Sequence, residues 1–142
     1  MHIKPLIAEH FKSVKEIFGE SFYKHGMNDT DLSYYWRKRK SDSLGIFTSE
    51  GDLLGFSIII QPAGTPNNRY LAYFAVHSDY RGGSLGTDLM AATLVRRKGA
   101  NGALHLMPLN GKVRAWYLKR GFNNTFGGYM NYHSYETRSH AR

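Results

Sequence analysis

The stretch Tyr70–Thr87, YLAYFAVHSDYRGGSLGT, decides the fold. It opens on an apolar and aromatic run, Leu71, Ala72, Tyr73, Phe74, Ala75 and Val76, with the length and composition of a strand buried on both faces. His77, Ser78, Asp79 and Tyr80 are turn-compatible. Arg81, Gly82, Gly83, Ser84, Leu85 and Gly86 then lead through Thr87 into DLMAATLV, where Leu85, Leu89 and Ala92 fall at helical spacing. The predicted order is strand, glycine loop, helix. Such a loop delivers an anion to a helix N-terminus, because the first-turn N–H groups lack intrahelical acceptors and point outward along the helix dipole. A lone glycine pair would read as a chain reversal. The arginine, the three glycines and the strand before them together favour a phosphate.

Upstream, His2–Leu6 reads as a short strand, and Ile7, Phe11, Val14, Phe18, with Ile17 and Phe22 beside them, repeat as an amphipathic helix reaching Tyr23. After the loop His25–Asn28, Asp29 or Thr30 caps a second helix through Leu32, Tyr34, Tyr35 and Trp36. That helix ends in Arg37, Lys38, Arg39 and Lys40. The dipole favours cations at a helix C-terminus, so a solvated helix end is the simpler reading and a basic rim for an acidic substrate the sharper one. Leu44–Thr48 and Leu53–Gln61, joined by Ser49–Asp52, form a hairpin, and PAGTPNN at 62–68 is the loop that feeds the strand of Tyr70–Val76.

Downstream, Gly99, Ala100, Asn101 and Gly102 stop the helix. Ala103–Met107 is a strand, Pro108–Gly111 a turn, and Lys112–Arg120 a helix ended by Gly121. Tyr129–Tyr135 alternates as a final strand, and Glu136–Arg142 is a polar tail. Strands alternating with helices imply an α/β chain with a mixed central sheet between helices, in one domain over residues 1–142.

Composition bounds the chemistry. The 142 residues hold no cysteine, which removes disulfides and thiol nucleophiles, and the N-terminus lacks the apolar run of a secretory signal. A soluble cytoplasmic protein without a membrane segment is the expectation. A formal charge of +8 attracts anions of any kind.

The residues Arg81–Gly86, RGGSLG, resemble the pyrophosphate loop of the GNAT superfamily of N-acetyltransferases, written Q/R-x-x-G-x-G/A, and AVHSDYR resembles the strand ending that precedes it. Ser84 departs from the family's glycine: its hydroxyl can donate to a phosphate, while its Cβ restricts close backbone approach. A second resemblance lies in NGKVRAWYLKRGF, where Asn110, Ala115, Tyr117, Gly121 and Phe122 follow a compressed form of the family's N-x-x-A-x-x-x-Y-x-x-x-G-F region. Together these imply a GNAT fold and acetyl transfer from acetyl-coenzyme A to an amine by direct attack. By the same resemblance Phe74, Ala75 and Val76 hold the pantetheine arm, the loop Arg81, Gly82, Gly83, Ser84, Leu85, Gly86 and Thr87 holds the pyrophosphate, and Asn110 contacts the coenzyme.

Tyr117 stands at the family's general-acid position, where a phenol protonated at neutral pH can donate to a thiolate. Tyr23, Tyr34 and Trp36 are candidates for the acceptor wall. For the base, the family's glutamate position holds Tyr70, and His77, His105, Glu20, Asp29 or a water chain stay open. The acceptor is a small-molecule or peptide amine, no metal is implied, and a homodimer is the family's pairing. Two rivals stand beside this: a GNAT-like fold that binds acyl-coenzyme A without transfer, and a basic nucleic-acid module.

Overall fold

The computed structural model describes residues 1–97 and 102–133. The expected stop at Gly99–Asn101, the last residues of the expected final strand and the polar tail lie outside them. Among the described residues no helix is long and apolar enough to cross a membrane.

One mixed sheet organises the chain. Its strands are β1 (His2–Pro5), β2 (Leu44–Phe47), β3 (Leu53–Ile60), β4 (Arg69–Val76), β5 (Ala103–Leu106), β6 (Asn123–Asn124) and β7 (Met130–His133), in the spatial order β1-β2-β3-β4-β5-β7-β6. Every pairing is antiparallel except β4 with β5. The helices are α1 (Phe11–Phe22), α2 (Asp29–Lys38), α3 (Leu85–Arg97) and α4 (Gly111–Leu118).

The helices cover both faces because each carries an apolar stripe. α1 buries Val14, Ile17, Phe18 and Phe22, and α2 buries Leu32 and Trp36; both stripes meet Phe56, Ile58, Tyr73 and Ala75 on one face of the sheet. α2 starts where it does because Asn28 caps it, accepting from the Asp31 N–H at 3.0 Å while the Asp31 carboxylate takes the Asn28 N–H at 3.1 Å. On the other face α3 places Leu85 and Leu89 against Leu44, Ile46 and Leu54, and Met90 with Tyr117 of α4 against Ile59, Leu71 and Leu104. Where α3 crosses β3, the Ser57 and Thr93 hydroxyls hydrogen-bond at 3.0 Å, so both buried hydroxyls are satisfied.

β2 and β3 are buried on both faces; β4 is not, contrary to the expectation from its apolar run. In β4 only Leu71, Tyr73 and Ala75 are buried, and the residues between them are half-open. The pairing explains this. β4 meets β5 only at Arg69 with Leu104 and Tyr70 with His105, after which the two parallel strands separate. At the same point β4 bulges against β3: Leu71 faces Ile59 and Tyr73 faces Ile58, leaving Ala72 as the extra residue. The bulge moves Leu71 to the α3 face while Tyr73 stays on the α1 face. From Leu71 to Val76 the strand therefore presents an unpaired edge to a wedge-shaped opening.

Candidate active site

The opening between β4 and β5 is a cleft of about 410 Å³. It lies at the carboxyl ends of the sheet's parallel pair, the place where a ligand can enter an α/β sheet without breaking a hydrogen-bonded edge. β4 forms its floor from Tyr70 to Phe74, Leu106–Leu109 and Val113 form one wall, and Phe22, Met27 and Tyr35 form the other.

Tyr117 lies in this cleft and is 6% exposed, held against Phe122 and Trp116 at ring separations of 5.2 Å. Burial pushes its phenol far above the ordinary value, so the group is protonated at neutral pH. Tyr73 is likewise pushed up to about 12, first by burial and then by the charges of Asp31, Tyr35 and Tyr70. Burial raises Tyr70 as well.

The glycine loop stands at the far end of β4. A short 3-10 turn, Ser78–Tyr80, follows the strand, and Gly82 adopts φ +87°, the left-handed region that suits glycine. Ser84 takes the position before the helix, its carbonyl accepting the Asp88 N–H at 2.8 Å. That bond is the first in α3, so the N–H groups of Leu85, Gly86 and Thr87 precede the intrahelical ladder. Gly86 is packed from behind: a Cβ there would touch the Trp116 ring at 3.5 Å and Val76 at 3.7 Å. Arg81 faces inward, donating to the Val76 carbonyl at 3.0 Å and to the Ser21 hydroxyl at 2.8 Å, so it braces the loop on α1. Glu20, the residue before Ser21 in α1, does the same, accepting from the Ser78 N–H at 3.0 Å and hydroxyl at 3.1 Å.

Phe74 borders both the cleft and Trp116, whose ring lies 5.7 Å away, and Val76 points to the α3 face. Ala75 is buried on the opposite face, so only its backbone belongs to the free edge. Asn110 is the exposed N-cap of α4: its side-chain oxygen accepts the Val113 N–H at 2.9 Å, which leaves the amide NH₂ for another partner.

The expected acceptor wall is populated differently. Trp36 is 8% exposed in the α1–α2 core, under the Arg39 guanidinium at 4.0 Å. Tyr34 is exposed beside Tyr35 and Lys38, and exposed Tyr23 donates to the Asp29 carboxylate. None of the three lines the cleft; Tyr35 does, with Phe22 and Met27. Once Asn28 fixes the start of α2, Leu32 and Trp36 share the core stripe at i, i+4 and Tyr35 falls on the flank nearest β4. His77, His105, Glu20 and Asp29 also lie outside the cleft lining.

Arg120 was not singled out by its sequence position. Its guanidinium stacks on Trp116 at 3.6 Å and donates to the Trp116 carbonyl at 2.9 Å and to the Thr87 hydroxyl at 2.7 Å. This places a fixed cation at the first turn of α3. The one signal for it was the Trp116–Arg120 spacing of i, i+4, which lets a guanidinium cover an indole on a helix.

The family model for the GNAT acetyltransferase family matches residues 11–122. The chain belongs to the GNAT acetyltransferase family. Compared with curated proteins, the sequence matches none. Among solved structures it resembles a GNAT-family acetyltransferase from Staphylococcus aureus, with 13% identity, TM-score 0.77, and 93% of this chain covering 98% of that one. It also resembles YhbS, a GNAT family N-acetyltransferase from Escherichia coli in complex with CoA, with 16% identity, TM-score 0.75, and coverage of 93% and 80%. Tetrahymena GCN5 superposes with TM-score 0.78 at 16% identity, covering 94% of this chain and 96% of that one. At these identities the likeness is one of fold.

Proposed function

We propose that this GNAT protein transfers an acetyl group from acetyl-coenzyme A to a primary amine by direct attack, with Tyr117 as the general acid. The observation that carries the reading is the placement of the Tyr117 phenol, the most deeply buried in the cleft, where β4 leaves β5. YhbS, of the same fold, was crystallised with CoA, which supports the coenzyme.

The residues present fit that coenzyme. The unpaired edge from Leu71 to Val76 offers backbone groups to an amide-bearing arm, as a strand edge does to an added strand. The N–H groups of Leu85, Gly86 and Thr87, with the loop Arg81–Ser84, would hold the pyrophosphate, and Arg120 adds a cation beside them. The Asn110 amide NH₂ is available to the coenzyme. When bound, the coenzyme supplies an acetyl thioester.

This chain's residues do the rest. The free edge of β4 orients the acyl group, and the apolar cleft walls keep water from competing with the amine. Tyr117 gives its proton to the departing sulfur. A general acid in this place is worth ~10²–10⁴ in rate.

The test is thiol release from acetyl-coenzyme A across a panel of primary amines, native protein beside Tyr117→Phe. Amine-dependent release that collapses in the variant supports the reading. Tight coenzyme binding with no release for any amine would favour the binding-only rival.

A further inference from the structure

Resting on the acetyltransferase reading, we infer that the acceptor is a small, weakly basic monoamine on an apolar or aromatic body, which enters the cleft already neutral, since the described residues that line it include no carboxylate or histidine to deprotonate it.

The cleft wall carries the argument. Among the described residues that line it, the titratable side chains are four phenols, those of Tyr35, Tyr70, Tyr73 and Tyr117; the rest are apolar. Tyr129, on the loop before β7, adds a fifth phenol whose charge would bear on Tyr70. Burial keeps Tyr70, Tyr73 and Tyr117 protonated at neutral pH, so they present dipoles rather than charge.

The carboxylates nearest the cleft lie outside its lining, each holding a hydrogen bond of its own. Asp31, the one whose charge reaches Tyr73, accepts the Asn28 N–H in the α2 cap. Asp29 holds the Tyr23 hydroxyl and lies 3.4 Å from the Lys15 ammonium. Glu20 holds Ser78. An ammonium entering this space finds aromatic faces and, among the described residues of the lining, no carboxylate to pair with, and burying an unpaired cation costs several kcal/mol. Losing the proton in water first is the cheaper route.

That route selects the acceptor. At pH 7 an α-amine with pKa near 7.8 is neutral in about one molecule in seven, while an alkylamine near 10.4 is neutral in about one in 2,500. A polyamine or aminoglycoside brings further cations that the cleft cannot pair, into a chain of formal charge +8. Phe22, Met27 and Tyr35 on one wall and Met107, Pro108 and Leu109 on the other suit a flat apolar body.

The protons balance without a separate base. The neutral nitrogen forms the N–C bond to the acetyl carbon, the C–S bond breaks, and the sulfur takes the Tyr117 proton. The nitrogen then carries one proton too many and returns it to the Tyr117 phenolate. Products are an amide and a thiol, and Tyr117 is restored.

The experiment compares phenylalaninamide, phenethylamine and spermidine as acceptors, with kcat/KM followed from pH 6 to 9. The account expects phenylalaninamide to exceed phenethylamine at pH 7 by roughly 10-fold or more, with spermidine last. The phenylalaninamide profile should flatten near its own pKa, about 7.8, while phenethylamine climbs about tenfold per pH unit across the range. Profiles that break at one common pH for both amines would reveal an enzymic base and overturn the inference, as would preference for spermidine. Coenzyme binding with no transfer to any amine would overturn the acetyltransferase reading itself, and this inference with it.

Discussion

The Arg120 guanidinium donates to the Thr87 hydroxyl across 2.7 Å, so the end of α4 is tied to the first turn of α3. Stacking on Trp116 fixes the cation in place, and it needs little reorganisation to meet an anion at that turn. Replacing Arg120 by alanine is expected to weaken acetyl-coenzyme A binding by about 10-fold, the worth of one charge-assisted hydrogen bond. Acetyl-pantetheine, which has no pyrophosphate, should bind the native protein and the variant alike. Calorimetric titration with both ligands checks this.

Tyr117→Phe removes a hydroxyl and leaves the ring packing against Phe122 and Trp116. Turnover is expected to fall by about 100-fold or more, with the coenzyme dissociation constant changed by less than about threefold. Equal losses in both would mean that the hydroxyl binds rather than donates.

Alkaline pH should expose the cost of the buried phenols. Tyr70, Tyr73 and Tyr117 all have folded-state values raised above the unfolded value of 10.0. Above pH 10 the unfolded chain releases these protons and the folded chain does not, so stability is complete below pH 10 and declines as pH rises toward 12 and beyond. Urea midpoints at pH 9 and pH 11 should differ, the second being lower. Equal midpoints would contradict the burial of these groups.

The loop that precedes α3 is held from α1, through Glu20 to Ser78 and Ser21 to Arg81. The double variant Glu20→Ala, Ser21→Ala is expected to raise the coenzyme dissociation constant about 3-fold to 10-fold, because ordering the loop then falls to the ligand. Glu20 is exposed and Ser21 only half-buried, so melting temperature should shift by only a few degrees.

Much of this site was legible in the sequence because local chemistry carries it. The alternation of strand and helix, the break at RGGSLG and the turn at Pro108–Gly111 each depend on residues a few positions apart. What was not legible depends on register and phase. No turn residue marks the bulge at Ala72, which arises where β4 parts from β5, and so the strand read as buried on both faces. Trp36 and Tyr35 differ by one position on a helix, and the Asn28 cap decides which of them enters the core. Arg120 gains its meaning only when tertiary packing brings the end of α4 to the start of α3.

Titration of the folded protein with acetyl-coenzyme A, beside a Gly83→Val variant, tests the central claim most directly. A Cβ at Gly83 would meet only the Tyr80 carbonyl, at 3.9 Å, so the substitution leaves the fold intact while crowding the approach to the α3 N-terminus. The account predicts saturable one-to-one binding by the native protein and at least a roughly 10-fold loss in the variant. A folded native protein that binds no acetyl-coenzyme A would contradict it.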